Sequence, residues 1–248
     1  MKQIVLLAAG FALLATSACH KADKQTGNTV NEVKPTQSAP QPGAAWDTVI
    51  NATADGVMMG NPNAKVKLVE IASLGCPFCK RFDDEGVPTL IEQYVKAGKV
   101  SWEFRAYIIH GPVDMAANLI AHCNGPKTFF PLALAMYKDQ PTWMGKVESA
   151  PKEKLAQIES MPINQAYAAM ADLTGLQDWA AARGVPHAKS SQCLSDQKMI
   201  DHEAQVSVNV TDQYPDFKGT PSFVLNGQLL DDAGTWAKLR PQLDAALN

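Results

Sequence analysis

The stretch Val66-Lys67-Leu68-Val69-Glu70-Ile71-Ala72-Ser73-Leu74-Gly75-Cys76-Pro77-Phe78-Cys79 decides the fold of this chain. Val66–Ala72 is a strand-like run rich in Val and Ile, closed by Ser73-Leu74-Gly75. From Lys80-Arg81-Phe82 onward the chain has helical character. Two cysteines separated by two residues at a strand-to-helix junction form either a redox pair or half of a metal site. The placement favours redox chemistry. Cys76 falls at the N-cap and Pro77 at N1, where a missing N–H costs nothing. The free N–H groups and positive dipole end of the helix stabilise a thiolate, so the pKa of Cys76 is expected to fall. Cys79, one turn further in, is placed to attack a mixed disulfide formed at Cys76. A structural zinc would need a second ligand pair, and Cys123 and Cys193 stand alone without a CxxC or HxxxH partner, so no metal is expected.

The outer bounds agree with a single enzyme-sized unit. The chain has 248 residues, a formal net charge of −3 and 46% apolar residues, which fits one globular domain or one domain carrying an insertion. That charge excludes a strongly basic nucleic-acid binder, and no run of like charges forms a polyelectrolyte tail.

The first residues read as a signal rather than as part of the fold. Met1-Lys2-Gln3 supplies a positive start, and Ile4–Ala15 is an apolar run short of a membrane span. It ends in Thr16-Ser17-Ala18-Cys19, so residues 1–18 form an export signal. The ending also resembles a bacterial lipoprotein signal, with Cys19 lipidated after cleavage. Thr16 departs from the leucine usual there, and ordinary cleavage nearby is the alternative. Residues 19–45 are polar, rich in Pro, Gln, Asn, Thr and Ser, and lack apolar periodicity, as in a tether that cannot offset its ordering entropy. Export places the cysteines in an oxidising compartment, which permits Cys123 and Cys193 to pair; two buried thiols that never meet is the other reading.

Along the rest of the chain, Thr48-Val49-Ile50 reads as a short strand, with Met58 and Met59 preceding the fold proper. A helix from Pro77 to about Ala97 is expected to kink at Pro88 and close at Gly98. Val100–Ile109 is a second strand. Short helices follow over Asp114–His122, Lys127–Lys138, Lys152–Glu159, Asn164–Thr174 and Leu176–Arg183, then a longer one over Ser195–Val210. Pro221–Leu225 and Gln228–Leu230 pair across an Asn226-Gly227 turn, and Asp232–Leu247 is a closing helix. The order is β-α-β, a helical block, then α-β-β-α. His110, His122, His187 and His202 share no metal-ligand spacing and read as surface or core residues. Trp102, Trp143, Trp179 and Trp236 read as packing residues.

Three features together resemble the DsbA-type thiol–disulfide oxidoreductases: the CxxC after a strand, the helical block, and Gly219-Thr220-Pro221-Ser222-Phe223 before Asn226-Gly227. The resemblance covers about Asn61 to Leu247. It implies an α/β thioredoxin-like fold over residues 46–112 and 199–248, with a helical insertion at 113–198. It further implies that Cys76 is the nucleophile, Cys79 its resolving partner, and Pro77 and Phe78 the tuning dipeptide, Phe78 also facing substrate. Phe78 stands where some relatives carry a thiolate-stabilising histidine. Thr220-Pro221 is similar to the family's cis-proline loop, where the Thr220 backbone pairs with an extended substrate peptide. Glu70, six residues before Cys76, matches the family's buried acid and would exchange a proton with Cys79. Arg105 on the second strand is a candidate charge partner for it.

These expectations leave three functions open. An exported, periplasmic dithiol oxidase would pass its disulfide to exported cysteine-containing proteins and be reoxidised by a quinone-linked membrane partner of the DsbB type. A disulfide isomerase or reductase shares the chemistry, and Thr220 resembles that branch. Such relatives usually carry an N-terminal dimerisation domain, for which the residues before Asn61 leave little room, so a monomeric oxidase is expected. A Cu(I)-binding thiol module is the third reading, but no histidine or methionine lies beside the pair in sequence. No cofactor beyond the two cysteines is needed, and no nucleic acid is expected as partner.

Overall fold

A computed structural model describes residues 45–248; the signal segment, Cys19 and nearly all of the expected tether lie outside the described residues. The fold is built on β3 (Val66–Ala72), whose residues alternate between two apolar layers. Val66, Leu68 and Ala72 join the larger core, while Val69 and Ile71 meet Val210 and Val224 on the other face. A strand buried on both faces needs this nearly continuous apolar run.

β3 lies parallel to β4 (Val100–Ala106) and antiparallel to β5 (Ser222–Leu225). Beyond β4 come β2 (Val57–Gly60) and β1 (Ile50–Ala52), and beyond β5 comes β6 (Gln228–Leu229). The sheet order is β1-β2-β4-β3-β5-β6. The β5–β6 turn is Asn226-Gly227, both residues at positive φ (49° and 88°), as a two-residue hairpin demands. Met58 and Met59 therefore do not precede the fold. They pair with Glu103 and Trp102 as part of the sheet.

The CxxC helix α1 (Pro77–Thr89) passes through Pro88 and then continues as a π-helical turn over Leu90–Val95, before Gly98 at φ 73° leads into β4. Pro88 has no N–H for the preceding turn, and the wider turn after it lets the chain go on without a break. Between β4 and α8 (Gln197–Gln213) the chain runs through α2 (Pro112–His122), α3 (Pro126–Glu148), α4 (Lys152–Glu159), α5 (Ile163–Thr174), α6 (Leu176–Ala181) and α7 (His187–Leu194). The C-terminal α9 is Trp236–Leu247.

Two of these helices depart from the sequence reading. α3 runs ten residues past Lys138, through Pro131 and Pro141. An interior proline costs about 3 kcal/mol. α3 buries Phe129, Phe130, Leu132, Met136, Tyr137 and Trp143, each contributing about 1.5–3 kcal/mol, so packing outweighs both prolines. Phe130 packs on Trp102 with ring centroids 4.7 Å apart and Phe129 on Phe104 at 5.2 Å, which seats α3 on the sheet. The other departure, α7, carries only Ser190, Cys193 and Leu194 inward. Its apolar stripe is too thin to read from periodicity. A disulfide joins Cys193 to Cys123 at the end of α2. Among the described residues no helix is long and apolar enough to cross a membrane.

Candidate active site

Cys76 is the N-cap of α1 and Pro77 its first residue, as the spacing predicts. Both motif cysteines are free thiols, with Cys76 2% exposed and Cys79 fully buried. Their environments push the two thiols apart. The Cys79 thiol donates toward the Cys76 sulfur and lowers the Cys76 pKa most; burial opposes it, and Thr220 together with the N–H groups of Cys79 and Phe78 adds to the lowering. The net result is a Cys76 pKa of about 5. Burial, the Cys76 charge and Glu70 hold Cys79 well above the ordinary thiol value. At neutral pH the pair is one thiolate and one thiol.

The Thr220–Pro221 peptide bond is cis, and the Thr220 carbonyl lies 3.5 Å from Cys76 Sγ. A groove of about 500 Å³ opens beside it, lined by Gly219, Ser222, Leu230 and Gly234 among others. Phe78 is 58% exposed beside the thiol pair, with the Arg81 guanidinium 5.6 Å from its ring centre. Thus the sequence-predicted Thr220, Pro221, Phe78 and Pro77 all gather at Cys76.

Glu70 points into the larger core, 1% exposed, and accepts a hydrogen bond from Trp102 Nε1 at 3.0 Å. Burial, and then the charge of Asp83, raise its pKa to about 8, with the Trp102 bond opposing. A carboxyl of that kind is largely protonated at neutral pH, and its charge, once the proton leaves, further raises the Cys79 pKa. Trp102 is therefore a ligand of the buried acid as well as a packing residue.

Arg105 does not partner Glu70. In β4 it aligns with Ile71, one residue past Glu70, and so falls on the opposite face of the sheet. There its Nε donates to Glu103 at 2.6 Å, and Asp55 lies 3.6 Å from its guanidinium. The period of two along the strand separates it from the redox pair.

Several site residues escaped the sequence reading. Asp83, one turn past Cys79 on α1, is raised to about 7 by burial and by Asp84, with Lys80 opposing, and one of its carboxylate oxygens is buried without a partner. From α3, Gln140 Nε2 donates to the carbonyls of Leu74 (2.7 Å) and Cys76 (3.1 Å), and the Tyr137 hydroxyl donates to the Ser73 carbonyl (3.1 Å). From α2, Asp114 accepts from the Gly75 N–H at 2.8 Å. His110, which sequence spacing leaves remote, lies against this loop. Asp114, Tyr137, Gln140 and His110 carry no local signal, because each acts across more than thirty residues of chain.

Comparison with known proteins agrees with this geometry. A family described as Thioredoxin matches residues 52–245. A Rickettsia bellii protein carrying the provisional name protein-disulfide oxidoreductase is 27% identical over 172 residues, 69% of this chain and 57% of the relative. A Rickettsia prowazekii protein of the same name is 26% identical over 69% of this chain and 54% of its own. The chain thus spans little more than half the length of these curated relatives. Among solved structures, a protein-disulfide isomerase from Novosphingobium aromaticivorans is 34% identical, with a TM-score of 0.74 over 77% of this chain and 96% of that one. Alpha-DsbA1 of Wolbachia pipientis shares the fold at 19% identity, with a TM-score of 0.62 over 82% and 96%. With a thiolate–thiol CxxC at the head of a helix, a proline loop against it and a family match across three quarters of its length, this chain belongs to the thioredoxin family.

Proposed function

We propose that the chain is an exported, periplasmic dithiol oxidase, anchored through a lipidated Cys19, that passes its Cys76–Cys79 disulfide to cysteine-containing exported proteins. The observation that carries the oxidase reading is the seat of Cys76 at the N-cap of α1, against Cys79 and the Thr220 loop, which lowers its pKa to about 5. A thiolate stabilised to that degree stabilises the reduced enzyme, and a stable reduced form makes its disulfide a strong oxidant.

In the forward reaction a substrate thiolate attacks Cys76 Sγ, the Cys76–Cys79 bond breaks, and Cys79 leaves. Glu70, protonated at neutral pH, is the proton source for the departing Cys79 sulfur. A second substrate thiolate then attacks the substrate sulfur of the mixed disulfide and releases Cys76 as a thiolate. The substrate loses two electrons and the enzyme gains them. A DsbB-type, quinone-linked membrane partner would take them on. The substrate peptide would lie extended along the Thr220 backbone in the groove beside Pro221.

A second reading has its own support: Thr220 before the cis proline, and the isomerase name of the structure 34% identical to this chain. The equilibrium reduction potential of Cys76/Cys79 in glutathione buffers separates the two. A value near about −120 mV, as in DsbA, is expected for the oxidase. A value near about −270 mV, as in thioredoxin, would overturn it in favour of a reduced, isomerising enzyme.

A further inference from the structure

Asp114, 1% exposed near the start of α2, is a buried carboxylate with donors gathered around it. The Ser73 hydroxyl reaches it at 2.8 Å, and the N–H groups of Gly75, Ile109 and His110 at 2.8, 3.0 and 2.9 Å. His110 Nδ1 lies 3.1 Å from the same carboxylate, and 3.3 Å from Ser73 Oγ. The ring lies across Gly75. A Cβ at that position would come within 3.1 Å of His110 Nδ1 and 2.5 Å of Asp114 Oδ1, so the close approach requires glycine. Gly75 is the residue before Cys76, so the imidazole packs on the loop that leads directly into the reactive cysteine. The His110 side chain is 33% exposed, open enough for its proton to equilibrate with water.

The charged groups acting on this ring are Asp114 from α2 and Cys76 from the head of α1. The Asp114 hydrogen bond raises the imidazole pKa, burial pulls it down, and the negative charges of Asp114 and Cys76 add to the rise. Coupling between two titrating groups is reciprocal: a cation favoured by the thiolate favours the thiolate equally. Without the imidazolium, the Asp114 carboxylate would stand under the Cys76 loop hydrogen-bonded but with no cation beside it. The dipeptide between the cysteines, Pro77-Phe78, supplies no cation of its own.

We propose that His110 is a positioning residue of the redox pair: held as an imidazolium by Asp114, it supplies from outside the CxxC the positive charge that stabilises the Cys76 thiolate. The proposal rests on thiol–disulfide exchange at Cys76/Cys79 and is indifferent to the direction of electron flow. As His110 loses its proton at rising pH, the thiolate loses this support and the disulfide becomes a weaker oxidant.

The decisive measurement needs no variant. The His110 ring resonances of the wild-type protein are followed against pH by NMR in the dithiol and disulfide forms. The imidazole is expected to titrate higher in the dithiol form, where the Cys76 thiolate adds to the rise, than in the disulfide form. The same titration in both forms overturns the proposal. A Cys76→Ser variant is expected to leave His110 at the disulfide-form value; a value matching the dithiol form would trace the shift to rearrangement and overturn it as well. In His110→Gln, the Cys76 pKa, read from thiolate ultraviolet absorbance, is expected to rise by about one unit, and the exchange equilibrium with glutathione to shift about tenfold toward the disulfide form. An unchanged Cys76 pKa in folded His110→Gln would overturn it. Failure of Cys76/Cys79 to exchange with glutathione would count instead against the functional reading, and the ring titration would still report the coupling.

Discussion

At the scale of single residues, the site works by giving two adjacent thiols opposite ionisation. Cys76 is exposed to helix N–H groups and a neighbouring thiol, while Cys79 is buried beside two acids whose own protons are held on by burial. Glu70 has a direct consequence for stability. Its folded pKa of about 8 exceeds its ordinary value of 4.5, so between these pH values the folded chain holds a proton that the unfolded chain releases. The protein should therefore lose stability as pH rises through that window, by at most about 1.4 kcal/mol per pH unit from this group. Glu70→Gln, compared with wild type in the disulfide form by urea unfolding, should lack that slope. It should gain on wild type as pH rises and slow the release of Cys79 during exchange. Parallel stability curves would refute the burial argument for Glu70.

At the scale of elements, α3 holds the redox loop in place. Gln140 is the clearest case, since its amide is the side-chain donor to two carbonyls of the loop, those of Leu74 and Cys76. Gln140→Ala removes the side-chain donor from the Leu74 carbonyl and leaves the Cys76 carbonyl with the Lys80 N–H alone, which should cost about 1–3 kcal/mol of stability in chemical unfolding. It should also slow exchange with a model peptide, because the Cys76 carbonyl opens the first turn of α1. Unchanged stability would mean that water replaces the amide. The same scale explains where the sequence misled. Arg105 has the right residue type for a partner of Glu70, but one step along a strand reverses the face, and only the parallel register of β3 with β4 shows which face it takes. The sequence reading ended this helix at Lys138, short of Pro141, because the cost of a proline is local, while the packing of Phe129, Phe130 and Trp143 that outweighs it is not.

At the scale of the molecule, the Cys123–Cys193 bridge ties α2 to α7 across 70 residues of chain. Closing a loop of that length removes freedom from the unfolded state, so Cys123→Ala/Cys193→Ala should lower stability by about 2–4 kcal/mol in urea unfolding. The Cys76 pKa should stay where it is. A shift in that pKa would mean that the bridge also shapes the active site.

The sequence alone determined what depends on near neighbours: the β3 run, the N-cap cysteine with proline behind it, and the hairpin at Asn226-Gly227; Glu70 followed from the resemblance to a family with a buried acid at that place. Backbone dihedrals, caps and periodicity act over a few residues, so they are written in local order. Only the tertiary structure decided that β1 and β2 complete the sheet, that Arg105 faces away from the redox pair, and that Asp114, His110, Tyr137 and Gln140 converge on the Cys76 loop. Those contacts join residues tens of positions apart. Their energy appears only when α2 and α3 dock on the sheet and exclude the water that would otherwise satisfy the same groups.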